Sequence, residues 1–353
     1  MAQLQLAEVA TRLVFIAAAL SLSKYGPVVR IAPDELAFSD GDAWKDIMGH
    51  RNNTLGEFPK YRPIYRPGRS AHIPADIVYS GRDEHAALRR QLSHGFSDKS
   101  MREQEPRIVQ FVDLLISRLH HWCNDGNTAL RMDSWYNFTT FDIIGDLAFG
   151  DSFSCLEKSD YHEWVKCLFE LARLGVYFRI EDYYPFMKRI VTKILPHKAL
   201  EKQDFHNKLN RAKLEKRIQF GSRNDLIEGV LKKKDEWNIS LEQLESNSAL
   251  LVIAGSETTA TVLSGVTYLL TANPHTLERL AAEVRSAFAT EDDITIESVS
   301  KLQYMLACLD EALRMYPPVP SALTRVAPAE GGVIAGNIVT KGVSKFPPPS
   351  RIY

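Results

Sequence analysis

The sequence predicts a mainly α-helical protein with one small β-sheet. An apolar run from Leu241 to Ala272 predicts a single long helix, and shorter helical patterns recur at 83–95, 103–123, 133–149 and 160–174. Near the start, strand patterns at 27–31 and 35–39 flank a turn at Ala32, Pro33 and Asp34. No linker, repeat or low-complexity segment interrupts the 353 residues, so we expect one large folded unit.

Composition limits the classes of function. The chain carries 43 basic and 44 acidic residues, and this balance gives no support for a nucleic-acid partner. Its four cysteines show no paired spacing, which is typical of a protein from a reducing compartment.

The first elements have clear local signals. Asp40 follows the second strand pattern and is expected to cap a short helix that carries Trp44 and Ile47. The stretch 49–81 is rich in proline, tyrosine and arginine and lacks periodicity, so we expect a long loop with a functional role.

The long helix has signals at both ends. Ser240 and Gln243 form a capping box, and Ile239 and Leu244 are placed for the hydrophobic staple that accompanies it. Asn273, which precedes a proline, is expected to end the helix. Because apolar side chains occur around most of its circumference, we expect this helix to be buried on nearly all sides.

The string Ala254-Gly255-Ser256-Glu257-Thr258-Thr259 inside the long helix contains a glycine, a carboxylate and two β-branched hydroxyl residues, all of which are locally unfavourable to a helix. Gly255 costs about 1 kcal/mol relative to alanine, and Thr258 can donate its hydroxyl to the Ala254 carbonyl and bend the axis. Glu257 brings a carboxylate into an apolar surrounding. These residues predict a small polar notch; the alternative is a kinked core helix with glycine for close packing and glutamate in a salt bridge.

Two further segments carry pairs of residues at helical spacing. Glu311 and Arg314 share one face of a predicted helix that begins at a second capping box, Ser300 and Gln303, and ends at prolines. His85 and Arg89, four apart, share a face of the 83–95 helix. Surface ion pairs and a basic helix face are the alternatives for these two pairs.

Together these motifs resemble the cytochrome P450 family of haem-thiolate monooxygenases, in particular its fungal members. The six-residue string fills every position of the family pattern Ala/Gly-Gly-x-Asp/Glu-Thr-Thr/Ser. The resemblance implies that Ala254 and Gly255 lie against the distal haem face. It implies that Glu257 and Thr258 are catalytic, positioning water and relaying protons.

The same resemblance assigns other residues. Arg325, at the end of a strand expected at 321–325, would hold a haem propionate through its forked guanidinium. Arg89 would also bind a propionate, and His85 takes the aromatic position beside it. Glu311 and Arg314 would be structural, as the buried pair that locks the family's core behind the haem.

The family also implies a reaction and its partners. These are the insertion of one oxygen atom into a small apolar substrate, with haem as cofactor and NADPH-cytochrome P450 reductase as electron donor. A fungal secondary metabolite is the expected substrate, and the cytosolic face of the endoplasmic reticulum membrane is the expected location. The apolar run Leu13 to Leu22 is about half the length that spans a bilayer, so a cytoplasmic protein is the alternative.

The part of the sequence that would bind the haem iron departs from the family pattern. Relatives carry the axial cysteine in a glycine-rich loop well after the Glu-x-x-Arg helix, and this chain ends before such a loop. We expect the four cysteines present to be buried hydrophobes, and we therefore assign no metal ligand. The four are Cys123, Cys155, Cys167 and Cys308.

This interpretation divides the chain into a shortened or atypical N-terminal segment (1–23), a cytochrome P450 domain incomplete at its C-terminus (24–341) and an aberrant tail (342–353) that loses the strand pattern. It predicts that the chain as written is inactive. The alternatives are a non-catalytic remnant or pseudogene product, and a helical binding protein.

Overall fold

The computed structural model describes residues 24–50, 57–61, 65, 76–171, 198–234, 236–237, 239–319, 323–341 and 344–346. The apolar run Leu13 to Leu22, most of the 49–81 loop and the part of the 160–174 pattern beyond residue 171 lie outside these ranges, as do residues 347–353 of the tail.

A small sheet lies near the start of the described chain. Its strands are β1 (Val28–Ala32), β2 (Glu35–Phe38), β3 (Arg325–Val326) and β6 (Ser344–Phe346), and a separate hairpin is formed by β4 (Gly332–Ile334) and β5 (Asn337–Val339). The order is β1-β2-β6-β3, with β2 and β6 parallel and the other two pairs antiparallel. The two predicted N-terminal strands are confirmed within one residue at each end. Strand β6 corrects the expectation that the strand pattern is lost after Lys341.

Helix α1 (Gly41–Met48) covers the sheet, and Asp40 caps it as predicted, because its carboxylate accepts a hydrogen bond from the Asp42 amide at 2.9 Å. A small apolar core lies between α1, the sheet and the hairpin. Its buried members are Phe38, Ala43, Ile47, Phe58, Ala327, Ile334 and Val339. The strand that carries Arg325 is thereby fixed to the N-terminal part of the chain.

The helices follow in chain order. They are α2 (Arg82–Leu92), α3 (Asp98–Cys123), α4 (Met132–Phe149), α5 (Cys155–Lys158), α6 (163–171), α7 (Lys198–Gln219), α8 (Glu228–Lys233), α9 (Leu241–Ala272), α10 (Pro274–Ala287), α11 (Ile296–Val299) and α12 (Gln303–Met315). The main core is aromatic and lies among α4, α6, α7 and α9, with Phe141, Phe149, Phe153 and Trp164 nearly inaccessible to solvent.

The long helix α9 begins and ends where the sequence predicts. The Ser240 hydroxyl accepts a hydrogen bond from the Gln243 amide at 3.1 Å, whereas the Gln243 side chain donates to Glu84 on α2 instead of closing the capping box. Tyr136 and Thr267 are hydrogen-bonded through their hydroxyls at 2.7 Å, and Gly255 lies against Ile144, so α4 and α9 run antiparallel.

The prediction that α9 is buried on nearly all sides was wrong. Only one stripe of the helix is buried, at Leu244, Asn247, Ser248, Val252, Ser256, Ala260 and Gly265. The opposite face leaves Ile253, Ala254 and Tyr268 exposed. Apolar composition predicted burial, but the packing of α4 determines which side is covered.

Helix α12 begins differently from the prediction. Ser300 ends the short helix α11, and the residue before α12 is Leu302, which makes no side-chain cap. The carboxylate of Glu283 on α10 instead accepts hydrogen bonds from the amides of Tyr304 and Met305, at 2.9 and 2.8 Å. A capping group from another helix therefore replaces the predicted local one.

Among the described helices, α9 is long and apolar enough to cross a bilayer by length and composition. A single helix of this kind is weak evidence for a membrane span, because long core helices meet the same criteria.

Candidate functional site

The hydrogen bond expected of the predicted polar notch in α9 is present, and we keep the name notch for residues 254–259. The Thr258 hydroxyl donates a hydrogen bond to the Ala254 carbonyl at 2.6 Å, as the sequence predicts. Ala254 and Thr258 are one turn apart and share a face, and Ala254 is exposed together with its neighbour Ile253. The notch therefore opens on the side of the helix that α4 does not cover.

Gly255 points away from that face. A Cβ atom built on it would lie 2.9 Å from Cδ1 and 3.0 Å from Cγ1 of Ile144 on α4. Glycine here allows the two helices to approach closely, which corresponds to the alternative that the sequence left open. The contact of Gly255 with a cofactor stays a prediction.

Glu257 is half-buried, and its Oε1 atom is fully buried with no hydrogen-bond partner in the described part of the chain. Burial raises the pKa of this carboxyl above its ordinary value. A carboxyl in this setting holds its proton to a higher pH than an exposed one, which suits a proton donor.

A second group of predicted residues converges at the start of α2. Arg89 and Arg325 both lie within electrostatic range of the His85 ring, although Arg325 is far away in sequence. Burial is the largest cause that lowers the pKa of His85, and the charges of Lys60, Arg89 and Arg325 lower it further. We call these four side chains the basic cluster.

Arg325 is oriented by its surroundings. Its guanidinium lies over the Tyr65 ring, 5.4 Å from the centroid, and the ammonium of Lys60 lies 5.7 Å from the same centroid. The Arg325 Nη1 atom is buried and has no hydrogen-bond partner within the described ranges. A buried donor of this kind is costly unless an acceptor reaches it, so the basic cluster fits an anionic ligand.

The helix that carries His85 and Arg89 of the basic cluster lies beside the helix that carries the notch. Leu88 and Leu92 of α2 line a small cavity with Leu244 and Ser248 of α9. Ala254 follows Ser248 by six residues, which corresponds to about 9 Å along the helix. The fold thereby brings α2 beside the half of α9 that carries the notch.

The Glu311–Arg314 pair forms a bidentate ion pair on α12, with both N–O distances at 2.7 Å. Both side chains are accessible in this structure, 58% for Glu311 and 34% for Arg314, and so differ from the buried pair that the family implies. Their structural role stays a prediction.

The four cysteines occupy settings unlike that of a metal ligand. Burial raises the pKa of Cys155 to about 12, and burial also raises the pKa of Cys167 and of Cys308. The Cys123 thiol donates to the His120 carbonyl. Iron binds the thiolate, which a raised pKa disfavours. The residues that the structure describes also contain no group of three or more His, Cys, Asp or Glu side chains arranged for a metal.

A comparison with known families decides the assignment. The model of the family described as cytochrome P450 matches residues 21–352. The chain belongs to the cytochrome P450 family. Its mainly helical fold with small sheets is consistent with this membership.

Fungal cytochrome P450 proteins are among its relatives. Cytochrome P450 monooxygenase tpeC of Talaromyces stipitatus is 44% identical over 90% of this chain and 62% of the relative. Cytochrome P450 monooxygenase efuB of Hormonema carpetanum is 40% identical over 91% of this chain and 64% of the relative. Trichothecene C-15 hydroxylase of Fusarium sporotrichioides is 42% identical over 90% of this chain and 64% of the relative. The match thus spans somewhat less than two thirds of each relative's length.

Haem is the cofactor that the cytochrome P450 family implies, and part of the site fits it. Within the basic cluster, His85, Arg89 and Arg325 suit the two carboxylates of a porphyrin edge, since the buried Nη1 of Arg325 has no hydrogen-bond partner among the described residues. The exposed and small Ala254 leaves room for a flat ring beside Thr258. The four cysteines fit the axial position poorly, because Cys155 is fully buried in the aromatic core, the Cys123 and Cys167 thiols donate to backbone carbonyls, and Cys308 is half-buried within α12.

Sequence reasoning missed Lys60 and Ile144. Lys60 lies in the stretch without periodicity, where no local pattern marks a functional side chain. Ile144 lies on α4, and its contact with Gly255 depends on how two helices distant in sequence are packed.

Proposed function

We propose that this chain is part of a haem-dependent monooxygenase. It supplies the residues that bind the haem carboxylates and the helix α9, which lies against the distal haem face. The substrate class is a small apolar secondary metabolite of a fungus. The fungal relatives named as monooxygenases support the reaction type, and the relative named as a trichothecene hydroxylase supports a small secondary metabolite as substrate.

The observation that carries the proposal is that Arg89 and Arg325, which the family resemblance assigns from two distant parts of the sequence, both lie within electrostatic range of the half-buried His85 ring. Arginine forks donate two parallel hydrogen bonds to a carboxylate, which fixes both position and orientation. His85, whose pKa is lowered, is neutral at physiological pH and can donate one ring N–H to the same group.

When bound, haem supplies the oxygen chemistry of the family. Residues of α9 then orient water and supply protons. Because the Thr258 hydrogen is donated to Ala254, its oxygen is left as an acceptor that can orient a water molecule. Glu257, the residue before Thr258, has a raised pKa and is the candidate source of the proton.

The proposal includes the partner and location that the family implies. NADPH-cytochrome P450 reductase is the electron donor, and the cytosolic face of the endoplasmic reticulum membrane is the site of action.

The proposal also includes inactivity of the 353-residue polypeptide by itself. It rests on the settings of the four cysteines: Cys155 is buried in the aromatic core, the Cys123 and Cys167 thiols donate to backbone carbonyls, and burial raises the pKa of Cys155, Cys167 and Cys308. A thiolate must donate electron density to iron for the family's oxygen cleavage, and these thiols are poorly suited to ionise.

Porphyrin titration of the full chain tests the carboxylate site. Iron protoporphyrin is expected to bind at least about tenfold more tightly than its dimethyl ester, because hydrogen bonds between charged groups are lost on esterification. Arg325→Gln should weaken binding of the free acid and leave the ester unaffected, whereas Arg211→Gln, an exposed arginine on α7, should change neither. Equal affinities for acid and ester would contradict the proposal.

A further inference from the structure

Lys60 connects the strand that carries Arg325 to the loop before α2, the helix that carries His85 and Arg89. Its backbone forms an antiparallel β-bridge with Arg325, and two hydrogen bonds flank the bridge: Val326 N to Pro59 O at 2.9 Å and Tyr61 N to Thr324 O at 3.2 Å. The main chain of Lys60 is therefore fixed to the strand that carries Arg325.

The side chain of Lys60 reaches the loop that precedes α2. Its ammonium donates to three backbone carbonyls, those of Ile77 at 3.3 Å, Val78 at 2.7 Å and Ser80 at 3.0 Å. These carbonyls lie immediately before Gly81, the N-cap residue of α2. An ammonium has three donors, so all of them are used by the loop.

The same loop is held from its other end. The Ile77 amide donates to the Asn247 side chain on α9 at 3.0 Å, and Asp76 accepts from the amides of Val78 and Tyr79. The loop is thus attached to α9 by Asn247 and to the Arg325 strand by Lys60, and α2 follows directly from it.

We propose that Lys60 is a positioning residue of the carboxylate site, holding His85 and Arg89 on α2 at a fixed separation from Arg325. This inference rests on the proposed function. Lys60 acts through the backbone of the 77–80 loop and does not itself contact the ligand, since its three donors are already engaged.

The charges around Lys60 are consistent with this role. Burial is the largest cause that lowers its pKa, and the nearby Arg325 lowers it further, while Asp76 and Glu84 act in the opposite direction. The Tyr65 ring, which both cations approach, compensates part of their mutual repulsion through its π face.

Two measurements on the full chain test Lys60→Met. The first requires no porphyrin: amide hydrogen exchange of residues 77–80 should become faster, while exchange of the α4 amides stays the same. The second is the titration with iron protoporphyrin and with its dimethyl ester. Affinity for the free acid should fall by roughly tenfold, as is common when a positioning residue is lost, and affinity for the ester should not change.

The matched control is Lys99→Met, an exposed lysine on α3 with only a distant partner, which should leave both measurements unchanged. If Lys60→Met fails to fold, Lys60→Arg provides the comparison. Arginine keeps the charge, but the N–H donors of its guanidinium lie in one plane and cannot point at the three carbonyls as those of an ammonium do.

The outcomes separate the two proposals. Unchanged exchange in Lys60→Met, or faster exchange with undiminished affinity for the free acid, would overturn the role of Lys60 alone. Wild-type protein that binds acid and ester equally would overturn the carboxylate site itself.

Discussion

Replacing Gly255 by alanine tests whether this glycine serves helix packing. The added Cβ would lie 2.9 Å from Ile144 Cδ1, whereas apolar carbons prefer separations of about 3.5–4.0 Å, so Ile144 must shift by roughly 0.5–1 Å. Overpacking of this kind costs about 1–3 kcal/mol, and alanine returns about 1 kcal/mol of helix propensity. The free energy of unfolding should therefore fall by about 0–2 kcal/mol.

A double-mutant cycle makes the test specific. Ile144→Val removes Cδ1, the nearer of the two clashing atoms, keeps Cγ1, and costs about 0.5–1.5 kcal/mol by itself. The variant with both changes should be more stable than the sum of the two single effects by about 1–2 kcal/mol, measured by urea unfolding followed by circular dichroism.

Gly265→Ala is the control for that cycle. It lies in the same helix, its added Cβ would meet Tyr316 instead, and it should not couple to Ile144. Strict additivity of Gly255→Ala and Ile144→Val, or a gain of about 1 kcal/mol from Gly255→Ala alone, would refute the packing role.

Two more predictions concern stability. Arg217 is fully buried and bonded to Asp225 and Glu228, so Arg217→Met should lower the free energy of unfolding by about 3–5 kcal/mol. The control Arg211→Met, which breaks an exposed ion pair on the same helix, should lower it by about 0.5 kcal/mol or less. Similar losses in the two variants would contradict the buried network. The raised pKa of Glu257 means that the native state loses stability as pH rises from the ordinary glutamate pKa through the native one. Glu257→Gln should therefore be more stable than wild type at pH 8 and equal to it below the ordinary pKa, and a pH-independent difference would exclude this account.

The sequence predicted those features that depend on neighbouring residues. Ser240 caps α9, Asp40 caps α1, and Thr258 donates to Ala254, because each interaction lies within a turn of the chain. The two N-terminal strands were found for the same reason, from alternation and an intervening turn.

Features that depend on distant segments were not predictable. The amides at the start of α12 are capped by Glu283 from α10, which no local capping pattern indicates. One side of α9 is exposed although its composition is apolar all round, because α4 covers only the other side. Lys60 has no sequence signal, since its role arises from a β-bridge to Arg325.

The candidate site was partly predictable. His85, Arg89 and Arg325 were assigned through the family's motifs, and the structure brings them together around the His85 ring. Gly255 was assigned to a cofactor surface, which stays a prediction; the structure adds that a Cβ atom built on it would meet Ile144. The motif identified the helix that carries Gly255, but it did not show which neighbouring side chain this position faces.

The reduced carbon monoxide spectrum of the full chain, loaded with haem, tests the central claim most directly. We predict that haem is retained through its carboxylates and that the spectrum lacks the Soret band of thiolate ligation, because burial raises the pKa of Cys155, Cys167 and Cys308. A thiolate Soret band that disappears in one of the four Cys→Ser variants would contradict this account.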